Sequence, residues 1–135
     1  MNNKIKILMI DDEEDFCFFV SKNLENTGEF AVTYTTDPDK GLRIARSKVP
    51  DLILLDNRMP KKEGLKVLEI LKSDIKTISI PVIMLTALED EQLKQKASWL
   101  YIERYITKPA GLETLRTEID KVLGSLHRNR VRNIY

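Results

Sequence analysis

Short apolar runs alternate along this chain with longer stretches in which apolar residues recur every three or four positions. Ile5 to Ile10 is a β-rich run that stops at two acids, Asp11 and Asp12. Phe16, Phe19, Val20 and Leu24 follow at helical spacing, and Gly28 supplies a stop. Phe30 to Thr36 is β-branched and aromatic, a second strand. Asp37-Pro38 is an N-cap and first-turn pair for a helix carrying Leu42, Ile44 and Ala45, closed by Pro50. Leu52 to Leu55 is unbroken and apolar, as in a strand covered on both faces. Leu65, Leu68, Ile70 and Leu71 predict a third helix, Pro81 to Leu85 a fourth strand, and Glu89 to Leu100 a charged fourth helix. Tyr105 to Thr107 reads as a short fifth strand. Leu112, Leu115, Ile119, Val122 and Leu126 place a last helix after it.

Five βα units in succession predict an α/β fold: a parallel five-stranded sheet with helices on both faces, a three-layer sandwich. The 135 residues are enough for one ordinary domain, expected over 1–126. His127 to Tyr135, with Arg128, Arg130 and Arg132, reads as a basic tail that extends or frays the last helix. Hydrophobic content of 42%, charged content of 32% and a net charge of +1 give no bulk electrostatic reason to expect nucleic acid or a membrane as partner. The single cysteine, Cys17, excludes an intramolecular disulfide and a multi-cysteine metal site. The N-terminus has no apolar stretch of signal-peptide length, so the expected location is the cytoplasm.

The chemistry lies where the strands stop. Open α/β sheets bind ligands outside the carboxyl ends of their strands. In the flavodoxin-like order 2-1-3-4-5, strands one, three, four and five are neighbours, and these end in Asp11 and Asp12, Asp56, Thr86 and Lys108. Neighbouring strands lie about 4.8 Å apart. Asp12 and Asp56 can therefore meet across one spacing, with Thr86 and Lys108 closing from the other side. Two unit charges about 4 Å apart repel by roughly 4 kcal/mol at an effective dielectric near 20. Three carboxylates contain three such pairs, more than one lysine offsets, so the cluster needs a shared proton or a divalent cation. Oxygen ligands alone select a hard cation, and Mg²⁺ (or Mn²⁺) suits a site that keeps waters and shares its coordination with phosphate.

Asp11-Asp12, Asp56-Asn57-Arg58-Met59-Pro60, Thr86-Ala87 and Lys108-Pro109, in this order on these strand ends, resemble the receiver domain of two-component response regulators. The resemblance covers roughly residues 4 to 126. It implies that Asp56 accepts a phosphoryl group from a sensor histidine kinase or a histidine phosphotransfer protein. Asp11, Asp12, Asp56 and the backbone carbonyl of Arg58 would hold Mg²⁺. Thr86 would hydrogen-bond a phosphoryl oxygen, and Lys108 would pair with Asp56 and then with the phosphoryl group. Tyr105 would be the aromatic switch that follows Thr86. The surface of helix four, strand five and helix five would then engage a downstream effector protein or a second copy. On this reading the chain is a phosphoacceptor rather than an enzyme, limited to self-phosphorylation from small donors and self-dephosphorylation.

Three other functions fit parts of the pattern. A receiver cut from a DNA-binding transcription regulator would share every motif. A Mg²⁺-dependent phosphohydrolase would want a second aspartate two residues after the nucleophile, where this chain has Arg58. A receiver-like protein that only binds partners would lack a phosphorylation residue, and none is missing here. The chain departs from the family at Trp99 to Tyr105, where Tyr101 and Ile102 replace the usual Gly-Ala pair and an aromatic group forms with Trp99. Phe18 should project away from Phe16, Phe19 and Val20 and stand exposed near the acids. Arg58 and Leu88 occupy the positions that tune phosphate lifetime in the family. Leu88 cannot orient an attacking water, so the purified aspartyl phosphate should decay over minutes or longer, as followed by loss of label. A half-life of seconds would refute the assignment.

Overall fold

The computed structural model describes residues 3–86, 104–107 and 111–132, by backbone alone for Thr86, Arg104, Tyr105, Thr107 and residues 125–132. The chain runs β1 (Ile5–Ile10), α1 (Glu14–Glu25), β2 (Phe30–Thr35), α2 (Pro38–Lys48), β3 (Leu52–Asp56), α3 (Gly64–Lys72), β4 (Val82–Thr86), β5 (Arg104–Thr107) and a C-terminal helix (Leu112–Arg132). All strand pairs are parallel, in the order β2-β1-β3-β4-β5. The fold class and strand order expected from the sequence are those found. The predicted fourth helix, Glu89 to Leu100, lies outside the described residues, as do Leu88, Trp99, Tyr101, Ile102 and Lys108.

Strand residues alternate between two cores. Ile5, Ile7 and Met9 of β1, Leu52 and Leu54 of β3, and Ile83 and Leu85 of β4 pack under α1 and the C-terminal helix. Leu8 and Ile10, Ile53 and Leu55, and Val82 and Met84 pack under α2 and α3. A sheet covered on both faces needs apolar residues at every position, which is why β3 and β4 read as unbroken runs. Asp37 caps α2 as expected: its side chain accepts from the Asp39 N–H, and Pro38 occupies the first turn. At the other end of α2, Val49 sits at φ 44, a left-handed conformation that crowds a β-branched side chain.

The inward phase of the helices differs from the periodicity in places. On α1 the buried residues are Cys17, Val20, Ser21 and Leu24. Phe18 is exposed as expected, but Phe19, expected inside, is also exposed. The core takes the face of Cys17, Val20, Ser21 and Leu24, with Phe16 packed at its edge, and leaves Phe18 and Phe19 outside. On α3, Val67, Leu68 and Leu71 face inward while Ile70 stays partly exposed. On the C-terminal helix Leu115, Ile119 and Leu123 are buried, Val122 is partly buried, and the helix continues to Arg132.

Candidate functional site

Register brings two of the acids level. Ile10 pairs with Leu55, so the residues that follow them, Asp11 and Asp56, face each other across one strand spacing. Alternation along a strand puts Asp11 on the face of Met9, and Asp56 on the face of Leu54. Both side chains therefore project toward the same layer. Asp11 is fully buried and Asp56 is 4% exposed. Asp12 follows on the open side and is exposed. Each of the three offers one carboxylate oxygen, and these oxygens all lie within 4.8 Å of one another.

The backbone around the cluster is tied on several sides. The Asp11 N–H donates to Thr35 O at 3.2 Å, and the Cys17 thiol donates to Asp11 O at 3.4 Å. One Asp11 carboxylate oxygen accepts the Glu13 N–H at 2.9 Å, so Asp11 also shapes the turn into α1. The Arg58 N–H approaches an Asp56 carboxylate oxygen at 3.4 Å, the weak bond of a turn just past the strand. The Asn57 N–H donates to Leu85 O at 2.8 Å and extends the β3–β4 ladder beyond Asp56.

The other expected residues follow from the register. Asp56 pairs with Leu85, so Thr86, the last residue of β4, stands one step beyond it. Thr86 pairs with Thr107 of β5, and Tyr105 pairs with Met84. Lys108, next after Thr107, lies outside the described residues, as does Leu88. The donor set itself is all oxygen, with two buried carboxylates and one open to water. Three negative charges this close fit a small, hard divalent cation that keeps part of its hydration shell, which is the chemistry of Mg²⁺. Among the described residues, histidine or cysteine does not join this group of possible ligands, so the set does not suit Zn²⁺.

Comparison with known proteins agrees with this geometry. The family model of the response regulator receiver domain matches residues 7–120. This chain belongs to the response regulator receiver family. It is 38% identical over 118 residues to the DNA-binding dual master transcriptional regulator RpaA of Synechocystis, covering 87% of this chain and 48% of that protein. It is 30% identical over 123 residues to a probable chemotaxis protein CheY of Rhizobium etli, covering 91% of this chain and 95% of that one. The structure of the chemotaxis response regulator CheY4 of Vibrio cholerae superposes with a TM-score of 0.83 at 26% identity, covering 90% of this chain and 100% of the other. The chain spans about half the length of several curated relatives, the two transcriptional regulators RpaA and PhoP among them.

Two features of this receiver carry little sequence signal. Lys62, in the loop between β3 and α3, reaches back to α2, where its ammonium lies 2.8 Å from the Asp39 carboxylate. That hydrogen bond and the Lys62 charge, with Arg43 and Lys61 adding to it, hold the Asp39 carboxyl below its ordinary value. A lowered carboxyl value means the pair contributes above the ordinary aspartate range and fades as pH falls through the lowered value. Asp39 is exposed, so salt screens the pair. The second feature is Gly64, buried against the main chain at the end of β3. For Lys62 the only signal was an unremarkable charge in a loop. For Gly64 it was a glycine just ahead of an apolar helix.

In this family Mg²⁺ binding and phosphorylation are general properties, and this chain has an acidic group, Asp11, Asp12 and Asp56, of a kind that could hold a metal ion. Among the described residues no helix is long and apolar enough to cross a membrane.

Proposed function

We propose that Asp56 is the phosphoacceptor of this receiver and that its phosphorylation, by a sensor histidine kinase or a histidine phosphotransfer protein, switches a protein-binding surface. The observation that carries this is the convergence of Asp11, Asp12 and Asp56 within 4.8 Å at the carboxyl ends of adjacent strands in a receiver fold. An Asp56 carboxylate oxygen attacks phosphorus while the bond to the donor's imidazole nitrogen breaks. The donor leaves as neutral histidine after taking a proton from water, and Asp56 carries the new P–O bond. Phosphoryl transfer of this kind depends mainly on positioning and charge neutralisation. Asp11, Asp12, Asp56 and the Arg58 carbonyl would hold Mg²⁺, which supplies positive charge to the phosphoryl oxygens.

Asp56 is suited to the task because the register ties its backbone to Leu85 of β4, one step past the last β1–β3 pair, at the strand end. Thr86 would take a phosphoryl oxygen and Lys108 would offset the added charge. Tyr105, on the strand beside Thr86, would respond to the inward move of Thr86 by turning, altering the face built on β5 for an effector or a second copy. This reading concerns the receiver alone and does not depend on what the longer relatives carry beyond their matched half. Cytoplasmic action and a protein partner rather than nucleic acid belong to the same proposal.

Acetyl phosphate with Mg²⁺ should label the chain at one site, mapped to the peptide containing Asp56. Asp56→Asn should lose the label while keeping its circular dichroism spectrum. Persistence of the label at the same stoichiometry in the Asn variant would sink the assignment. Steady release of phosphate from general phosphomonoesters would favour the phosphohydrolase instead.

A further inference from the structure

The start of α3 rests directly on the peptide of the proposed phosphoacceptor, and only a glycine allows it. Gly64 is buried, and its N–H donates to Asn57 O at 2.8 Å, closing the loop that carries Arg58 and the buried Met59. A Cβ placed on Gly64 would fall 2.2 Å from Asp56 O, 2.7 Å from Asn57 Cα and 3.0 Å from Asp56 C. Real Cβ atoms essentially never come as close as the first two, and all three neighbours are main chain. No side chain can rotate to make room.

Gly41 is the useful contrast. A Cβ there would meet the tip of Ile10, with Cδ1 at 2.6 Å, Cγ1 at 2.8 Å and Cγ2 at 3.3 Å. That crowding can be relieved in part by a change of rotamer. At Gly64 either α3 or the Asp56–Asn57 peptide must move. The peptide is already held from the other side by the Asn57 N–H bond to Leu85 O. Pressure from α3 would therefore rotate or shift the residue whose carboxylate must stay in register with those of Asp11 and Asp12.

We propose that Gly64 is a positioning residue for the acidic site: the missing Cβ lets α3 seat on the Asp56–Asn57 peptide and hold the Asp56 carboxylate at the spacing a divalent cation requires. The proposal rests on reading Asp56 as metal ligand and phosphoacceptor. Gly64 touches neither metal nor phosphoryl group; it acts through the backbone of Asp56. Displacing a group that orients a ligand typically weakens metal binding about tenfold or more.

The test compares the full chain with Gly64→Ala and Gly41→Ala, using the Mg²⁺ dissociation constant from calorimetry and urea unfolding in parallel. Both variants should lose stability. Only Gly64→Ala should bind Mg²⁺ about tenfold more weakly and take label from acetyl phosphate correspondingly slowly. A wild-type dissociation constant in folded Gly64→Ala would overturn the proposal, as would equal weakening in Gly41→Ala. Should Gly64→Ala not fold, the unaltered protein decides. The Gly64 amide resonance should then shift during a Mg²⁺ titration with the same midpoint as the amides of Asp11 and Asp12. An unmoved Gly64 amide would overturn the proposal. If the wild-type chain neither binds Mg²⁺ nor takes label, it is the reading of Asp56 that fails. If the wild type does both and Gly64→Ala matches it, only the role of Gly64 fails.

Discussion

Asp12→Asn should make the metal-free protein more stable and, at the same time, remove most of the stabilisation that Mg²⁺ gives the native chain. The two effects have one cause. Three carboxylates offer oxygens within 4.8 Å of one another. Two charges at that separation repel by about 3.5 kcal/mol at an effective dielectric of 20. Asp12 is the exposed member, so water and salt screen much of this, and a gain of about 1 kcal/mol is the reasonable expectation. For a domain of this size that raises the melting temperature by about 3 °C or more. The gain should shrink as ionic strength rises.

The metal side has the opposite sign. A ligand that binds only the folded state stabilises it by RT ln(1 + [L]/Kd), about 2.7 kcal/mol at a hundred times Kd. Loss of one charged ligand that weakens binding about a hundredfold leaves only about 0.4 kcal/mol at the same Mg²⁺ concentration. Melting curves of both proteins with and without Mg²⁺ give all four values. A metal-free variant less stable than the wild type, or an undiminished Mg²⁺ shift in the variant, would contradict the reading of these acids as an electrostatically frustrated metal site.

Leu54→Ala should lower the unfolding free energy by about 2–5 kcal/mol, a large fraction of what a domain of this size possesses. Leu54 is fully buried on the central strand, in register with Met9 on one side and Ile83 on the other. Cys17, Val20, Leu115 and Ile119 belong to the same core. Strands on both sides and helices above prevent the site from collapsing, so the cavity term is added to the lost transfer energy. Ile70→Ala makes the control, since Ile70 is 36% exposed and its truncation should cost far less. Urea denaturation with unchanged m-values measures both. A loss below 1 kcal/mol for Leu54→Ala would mean that the core is not packed as described.

The strand that carries Leu54 also shows how legible the fold was. Leu52 to Leu55 could be read as a doubly covered strand because every position is apolar, and a strand buried on both faces is a local pattern with one common cause. The cap at Asp37-Pro38 was legible for a similar reason: its hydrogen bond spans two residues. Phe19 was not. Its spacing placed it on the same helical face as Val20, but spacing sets only which residues share a face. The sheet selects which part of that face is covered, and it takes Cys17 and Ser21 while leaving both Phe18 and Phe19 in water.

The candidate site divides in the same way. Acids at the ends of strands one and three could be found from the sequence, since each lies at the polar end of an apolar run. Sequence placed Asp12 opposite Asp56, whereas the register sets Asp11 level with it and brings in Asp12 from the open side. The Lys62–Asp39 bond joins two segments that nothing in the chain marks as neighbours. Gly64 could be read as a helix boundary, but not as the point where a helix touches the backbone of Asp56, the proposed phosphoacceptor.

By itself, then, the sequence of this receiver determined the order and type of the described elements, the parallel class of its sheet and the acids at the ends of strands one and three. Those properties depend on periodicity and composition within a few residues. Tertiary structure decided which helix faces are buried, which two acids stand level, and why a side chain at position 64 would have to displace main chain. Those depend on the phase and register of one element against another, and distances of a few ångströms between segments far apart in the chain leave no periodic trace in it.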